Sequence, residues 1–145
     1  MNSDKLIEIL HSSFIESYKV QQQLTHEDCM FYRNELPTLY CEDLIHVIPY
    51  VLEDILISKD ANDRESVDMV IYYLDGYCFD NEISNDYRKI EKKIVRELKE
   101  VIFKEFTPKQ ANAIHKWLIY IKESNICEIC KEDIDSAIRY WETKL

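Results

Sequence analysis

The stretch FTPKQANAIHKWLIYI, at positions 106–121, carries the clearest helix start in the chain. The Thr107 hydroxyl can accept a hydrogen bond from the backbone N–H of Gln110, and the Gln110 side chain can reach back to the Thr107 N–H, which forms a capping box. Pro108 occupies the first helical position, where a missing N–H is tolerated. The apolar side chains that follow recur at helical spacing: Ala111, Ile114, Leu118 and Ile121. The stretch therefore predicts a helix that buries one face, and it contains no catalytic motif.

The composition favours an all-α fold. The chain has 145 residues, of which 46% are hydrophobic and 32% charged, which is typical of one globular domain. It contains only one glycine and three prolines, and turn-rich β sandwiches and barrels need more glycine than that. The single Gly76 also excludes phosphate-binding loops and dinucleotide-binding fingerprints, each of which needs several glycines.

Helical periodicity along the chain predicts a single domain, residues 1–145, built as a bundle of about six helices. The predicted helices span residues 3–23, 40–57, 63–77, 85–104, 107–125 and 131–143. Thr25 and Asp28 can cap one or two further turns. Pro49 predicts a kink, or two helices that meet near His46. In the helix over 85–104, one apolar stripe is expected to face the core: Ile90, Ile94, Leu98, Val101 and Ile102.

The charge and the cysteines indicate a cytoplasmic protein. A net charge of -10 argues against binding to nucleic acid or to an anionic membrane, because both reward Lys and Arg. The first residues lack the basic and then apolar order of a signal peptide, and no apolar run approaches the ~18 residues that a membrane span needs. Five cysteines, an odd number, are most simply read as reduced thiols.

Two patterns could supply metal ligands. The pairs His26/Cys29 and Cys127/Cys130 could together form a tetrahedral zinc site, although cysteines one helical turn apart can also simply pack. Two further pairs, Glu8/His11 and Asp43/His46, have the spacing used in di-metal helical bundles, and a chain with 28 acids can form them by chance. The expectation is that the chain binds no metal or cofactor and is not an enzyme.

Acidic and aromatic residues are concentrated in one part of the chain. Residues 53–86 hold ten acids against two bases, whereas residues 88–104 hold seven bases against three acids. Helical spacing places Asp68, Tyr72 and Asp75 toward solvent and Tyr73 near the boundary. The candidate partner-binding residues are Glu65, Asp68, Tyr72, Tyr73, Asp75, Tyr77, Asp80 and Glu82. Tyrosine is a frequent anchor at interfaces, and the alternative is a solvated acidic face.

Two family resemblances accompany these features. The helix start at 106–110, together with ELP at 35–37 and IPY at 48–50, resembles small helical bacterial proteins classed as a domain of unknown function. The resemblance covers residues 36–121 and implies no catalytic residues. In size, acidity and lack of a catalytic motif, the chain also resembles the immunity proteins of bacterial competition systems.

These observations lead to one main hypothesis and two alternatives. The main hypothesis is a cytoplasmic immunity-type protein that neutralises a basic toxin, such as a nuclease, by covering its active surface. Carboxylates would occupy the positions of substrate phosphates, and tyrosines would fill adjacent apolar pockets. The alternatives are a metal-dependent helical enzyme and a regulatory adaptor with another partner.

Overall fold

The computed structural model describes residues 1–19, 23–58, 66–78, 86–124, 126 and 131–145, without the side chains of 86–89, 92 and 131. This part of the chain is all-α and contains eight α-helices, so the predicted class is confirmed and the predicted number of about six is too low. The helices are α1 (Ser3–Ser13), α2 (Ile15–Lys19), α3 (His26–Glu35), α4 (Cys41–Ile57), α5 (Val67–Leu74), α6 (Asp86–Phe103), α7 (Pro108–Glu123) and α8 (Lys131–Glu142). A short 3₁₀ helix, Leu36–Thr38, joins α3 to α4.

Helix α7 lies at the centre of the core, where it packs against α1 and α8. Its predicted start is confirmed, because the Thr107 hydroxyl accepts from the Gln110 N–H at 3.1 Å and the Gln110 side chain accepts from the Thr107 N–H at 3.0 Å. Trp117 on α7 is fully buried and donates its indole N–H to the carbonyl of Leu52 at 3.0 Å. The same arrangement recurs in α8, where Trp141 donates to the carbonyl of Leu74 at 2.8 Å. Each tryptophan thus satisfies its one polar atom inside the core.

The predicted first helix is divided in two. Helix α1 ends at Ser13, and Phe14 takes a non-helical conformation (φ -116°, ψ 43°) before α2 begins. Phe14 is buried, so the break places its ring in the core. Helical spacing alone did not indicate this break.

Pro49 lies inside α4, which is one helix from Cys41 to Ile57, so the predicted alternative of two helices is wrong. Proline has no N–H to donate to the carbonyl four residues earlier, which belongs to Ile45. The buried hydroxyl of Ser17 donates to that carbonyl at 3.0 Å. Tyr50 in turn donates its hydroxyl to the carbonyl of Ser17 at 3.0 Å. Helix α2 therefore supplies the hydrogen bond that proline removes from α4.

Gly76 follows α5, close to the predicted helix end, but its role differs from that of an ordinary helix terminator. The only positive φ among the described residues belongs to Cys78 (φ 53°), not to Gly76. A Cβ atom at Gly76 would lie 2.2 Å from Cε2 of Tyr140. Glycine is therefore needed here because the Tyr140 ring packs directly on the backbone.

Helix α6 contradicts the predicted orientation of its apolar residues. Ile90, Ile94, Leu98 and Val101 were expected in the core, yet their exposed fractions range from 51% to 60%. The helix instead buries Lys99 and Phe103, and only Ile102 of the predicted stripe is partly buried. The physical reason lies in the contacts of α6 with the end of α5, described below.

Candidate protein-binding surface on α5 and α6

Helix α6 is attached to the end of α5 by two cations. Lys99 donates to the carbonyls of Tyr72 and Asp75, each at 3.0 Å, and Arg96 donates to the carbonyl of Tyr77 at 2.8 Å. The last carbonyls of a helix favour positive charge, and the carbonyls of Tyr72 and Asp75 accept these bonds in addition to backbone N–H groups. Burial lowers the pKa of Lys99, and the neighbouring Cys78 and Asp75 partly oppose that shift. The side of α6 that meets the bundle is therefore the side that carries the donors.

Phe103 completes the attachment of α6. Its ring contacts Tyr73 at 5.5 Å between centroids and Trp141 at 5.0 Å. Arg96, Lys99 and Phe103 are spaced by three and four residues, so they lie on one side of the helix. The opposite side carries four exposed apolar residues, which we call the α6 stripe: Ile90, Ile94, Leu98 and Val101.

A mainly apolar groove of about 310 Å³ runs beside the stripe, between α3, α5, α6 and the 3₁₀ helix. Its apolar lining, which defines the α5–α6 groove, consists of Pro37, Met69, Tyr72, Tyr73, Val95, Leu98 and Ile102. Tyr72 and Met69 are about half exposed, at 49% and 46%. The Lys99 ammonium lies 5.0 Å from the centre of the Tyr72 ring, a distance typical of a cation–π contact. The groove thus presents an aromatic ring whose position is fixed from one side.

The Tyr73 hydroxyl is a buried polar atom next to this groove. Among the described residues it has no hydrogen-bond partner. Burial raises the pKa of the Tyr73 phenol well above its usual value, and the neighbouring Cys41 thiol adds to the shift. A buried hydroxyl without a partner costs free energy of folding, on the order of 1–3 kcal/mol.

The predicted partner-binding residues are divided between surface and core. Tyr72 faces solvent as expected, and Asp68 and Tyr77 are partly exposed. Three other predicted residues, Glu65, Asp80 and Glu82, lie outside the described part of the chain. The role of all these residues in binding stays a prediction.

Asp75 was expected on the solvent side of its helix, and that expectation is wrong, because its side chain is fully buried. Helical spacing stops applying at this position, since α5 ends at Leu74 and Asp75 takes an extended ψ of 97°. Its Oδ1 accepts from the Tyr77 N–H at 3.0 Å and from the Ser136 hydroxyl at 2.8 Å. Asp75 therefore links the end of α5 to α8 by hydrogen bonds, and it cannot contact a partner unless these bonds break.

Tyr73 was expected near the boundary and is instead buried. It lies on the side of α5 that α6 covers, where the Phe103 ring packs edge-on against it. The sequence pattern of α5 alone does not show which of its flanks α6 will cover. Of the predicted tyrosines, Tyr72 is thus the one whose ring is about half exposed.

The predicted zinc ligands are only partly within the described residues. Cys127 and Cys130 lie outside them. His26 Nδ1 is 2.9 Å from Asp54 Oδ1, and the buried Cys29 thiol donates to the carbonyl of Tyr50 at 3.6 Å. Burial, with Asp54 nearby, raises the pKa of Cys29 to about 12, so this thiol is protonated at neutral pH. No group of three or more His, Cys, Asp and Glu residues in the described part of the chain is arranged to hold a metal ion.

The two pairs with di-metal spacing, Glu8/His11 and Asp43/His46, contact other side chains or solvent. Glu8 contacts Lys5 at 3.5 Å, and His11 contacts Glu53 at 3.0 Å. Asp43 and His46 are both exposed on α4. The predicted di-metal pairs therefore do not come together in one site.

A second cavity, which sequence reasoning missed, lies between α1, α2, α3 and α4 and has a volume of about 200 Å³. Glu53 accepts from the Tyr18 hydroxyl at 2.9 Å and contacts His11, whose ring stacks on Tyr18. Asp54 contacts both His26 and the buried Arg33, the latter at 3.3 Å. These residues come from four separate helices, so no local motif in the sequence indicates the cluster. Each of its carboxylates is already engaged by neighbouring side chains.

In the described part, no helix is both long enough and apolar enough to span a bilayer. Three cysteines in that part, Cys29, Cys41 and Cys78, are free thiols. No protein-family model matches the chain, and neither a curated protein nor a solved structure matches it.

Proposed function

We propose that this protein acts by binding another protein, in the manner of an immunity protein, and that the partner contacts the α5–α6 groove. The observation that carries the proposal is the half-exposed pair Tyr72 and Met69 on a mainly apolar groove, whose polar lining is Arg33, Asn34 and Lys99. Large accessible apolar surfaces on a folded domain commonly mark binding sites.

The groove has the dimensions and chemistry of an anchor site. Its volume of about 310 Å³ falls at the lower end of the range for ligand pockets and suits one or two large side chains of a partner. Tyr72 offers area, rigidity and one hydroxyl, which makes tyrosine a common centre of binding energy. Met69 is flexible and can adapt its shape to the partner. The Lys99 contact orders the Tyr72 ring before binding, which lowers the entropy lost on association.

The charge distribution favours a basic partner. Residues 1–85 contain 17 acids and five bases, whereas the remaining 60 residues contain 11 acids and 13 bases. Asp68 lies one turn before Tyr72 on α5, so a carboxylate stands near the proposed anchor. Negative charge on the protein would speed the approach of a basic toxin, and salt would weaken this steering. Neutralisation would then follow from occlusion of the active surface of the toxin.

The test is affinity capture from the native cell with matched baits. The wild-type chain should retain a basic protein, and Met69→Glu should lose it because a carboxylate would stand in the apolar groove. Tyr72→Ala should weaken the capture at least tenfold, as expected for an interface anchor. Tyr40→Ala is the matched control, because Tyr40 is also exposed and does not line the groove.

The purified partner then gives the decisive measurement. Its association rate with the wild-type chain should fall as salt concentration rises. Equal capture by wild-type, Met69→Glu and Tyr72→Ala baits would refute the assignment of the groove. A regulatory adaptor would pass the groove test but retain a partner without toxic activity, so the identity of the partner separates these two functions.

A further inference from the structure

A second surface, the α6 stripe, points away from the bundle. Its four residues are spaced by four, four and three positions, so they stay on one face for three turns, a length of about 16 Å. The stripe cannot be turned inward while α6 stays attached, because Arg96 and Lys99 hold the opposite side of the helix on the carbonyls of α5. Exposed apolar faces on amphipathic helices commonly mark contacts with another chain.

We propose that the occupant of the stripe is α6 of a second copy of this chain, packed antiparallel. The charges beside the stripe select this occupant. Lys93 and Glu97 are both exposed, lie four residues apart and flank the stripe on the same side. In an antiparallel pair with its two-fold axis near residue 95, Lys93 of one chain stands opposite Glu97 of the other, and the reverse pair forms by symmetry.

The apolar residues fit the same arrangement. Ile94 of one chain would lie opposite Leu98 of the other, and Ile90 would lie opposite Val101, so the stripe is complementary to its own reversed copy. In a parallel pair the two-fold axis runs along the helices and places Lys93 and Glu97 of the two chains on opposite sides of the contact, where they form no pairs with each other. The antiparallel pair is therefore the one that matches both charge and shape.

Two of the bases described on α6 do not oppose this contact. Arg96 and Lys99 are directed toward α5, where carbonyl oxygens hold them. The exposed charges described on the helix are Glu91, Lys93, Glu97 and Glu100, and Glu100 is already bound to Tyr140 and Lys144. The stripe shares only Leu98 with the α5–α6 groove, so the pairing leaves most of the groove lining open.

Light scattering and sedimentation velocity of the purified chain test the proposal. At about 100 µM the wild-type chain should show twice the monomer mass of 17.4 kDa. Ile94→Glu should give a monomer with unchanged helical content, because the side chain is 51% exposed in the single chain. Ile15→Glu is the matched control, since Ile15 is 52% exposed on α2, and it should leave the dimer intact.

A charge swap tests the antiparallel orientation. Lys93→Glu alone should raise the dimer Kd on the order of tenfold, because two attractive pairs become repulsive. Glu97→Lys alone should do the same, and the double variant Lys93→Glu/Glu97→Lys should restore the wild-type Kd. A double variant as weak as the single variants would refute the antiparallel pairing.

Other outcomes would refute the second copy itself. If the wild-type chain is monomeric at 100 µM, pairing with a second copy is refuted, even if another protein covers the stripe. A dimer that survives Ile94→Glu would also refute this pairing. Met69→Glu should remain dimeric, because Met69 lies on the groove and not on the stripe, so this proposal and the proposed function can fail separately.

Discussion

Helices α6 and α7 have similar amphipathic patterns but opposite placements. Both carry apolar residues every three or four positions over about three turns. In α7 those residues lie in the core, whereas in α6 they face solvent. The difference arises outside both helices, because Arg96 and Lys99 of α6 donate to carbonyls at the end of α5 and so fix which side of α6 meets the bundle. An apolar stripe thus indicates that a helix has a face to bury, and its neighbours decide whether the same chain buries it.

The largest expected effect separates the two helices directly. Leu118 on α7 is fully buried, whereas Leu98 on α6 is 59% exposed. Leu118→Ala should lower the free energy of unfolding by roughly 2–5 kcal/mol, since it removes buried methyl groups and leaves a cavity. Leu98→Ala should lower that of the monomer by less than about 1 kcal/mol. Urea unfolding at low protein concentration, followed by circular dichroism, measures both, and equal losses would mean that α6 also buries its stripe.

The attachment of α6 gives the next effect. Lys99→Met should lower the free energy of unfolding by about 1–3 kcal/mol, because the carbonyls of Tyr72 and Asp75 would lose the charged donor and keep only the backbone N–H groups that they already accept from. Lys93→Met, at an exposed position of the same helix, is the control and should change it by less than about 0.5 kcal/mol. If both variants lost the same amount, Lys99 would not be the attachment point.

Comparison of the wild-type chain with Lys99→Met also gives a test of pH dependence. Burial holds the pKa of Lys99 below its usual 10.5 in the folded chain. Between the lowered pKa and 10.5, the unfolded chain binds the proton that the folded chain has released, so this group makes stability rise with pH. The stability difference between the wild-type chain and Lys99→Met should therefore grow as the pH approaches 10.5. A difference that shrinks over this window would mean that Lys99 holds its proton more tightly in the folded chain.

The capping box of α7 predicts a moderate effect. Thr107→Ala should lower the free energy of unfolding by about 1 kcal/mol, because the Gln110 N–H loses its acceptor. Thr107→Ser keeps the hydroxyl and serves as the control. Thermal unfolding of the two variants should differ by a few degrees, and identical transitions would show that the cap contributes nothing to this helix.

The smallest expected effect has the opposite sign. Tyr73→Phe removes a buried hydroxyl that has no partner among the described residues. The variant should be as stable as the wild-type chain or up to about 1 kcal/mol more stable. Tyr140→Phe is the contrast, because the Tyr140 hydroxyl donates to Glu100 and its loss should destabilise the chain. A clear loss of stability in Tyr73→Phe would show that the hydroxyl is bonded in solution.

What could be predicted from the sequence was local. The α7 cap and its buried face follow from residues within one helix, and both were predicted. The hydrogen bond from Ser17 to Ile45 joins two separate helices. The helix break at Phe14 depends on the burial of its ring in the core. Helical spacing in the sequence indicates neither feature. Secondary structure and fold class are therefore the more predictable part of this molecule.

The candidate site likewise has features that follow from the local sequence and features that do not. The exposure of Tyr72 follows from its position within α5, whereas Asp75 lies one residue past the end of that helix and turns inward. The groove is formed by α3, α5, α6 and the 3₁₀ helix together, and the second cavity is formed by four helices. Such sites depend on contacts distant in sequence, which periodicity does not encode.

The most direct test of the orientation of α6 is hydroxyl-radical footprinting of the wild-type chain, with side-chain oxidation read by mass spectrometry at a protein concentration low enough to keep the chain monomeric. Leu98 and Leu118 have the same intrinsic reactivity and differ only in their surroundings. The exposure of Leu98 on α6 predicts rapid oxidation of this residue, and the burial of Leu118 on α7 predicts its protection. Equal protection of the two leucines in the monomer would contradict this orientation of α6.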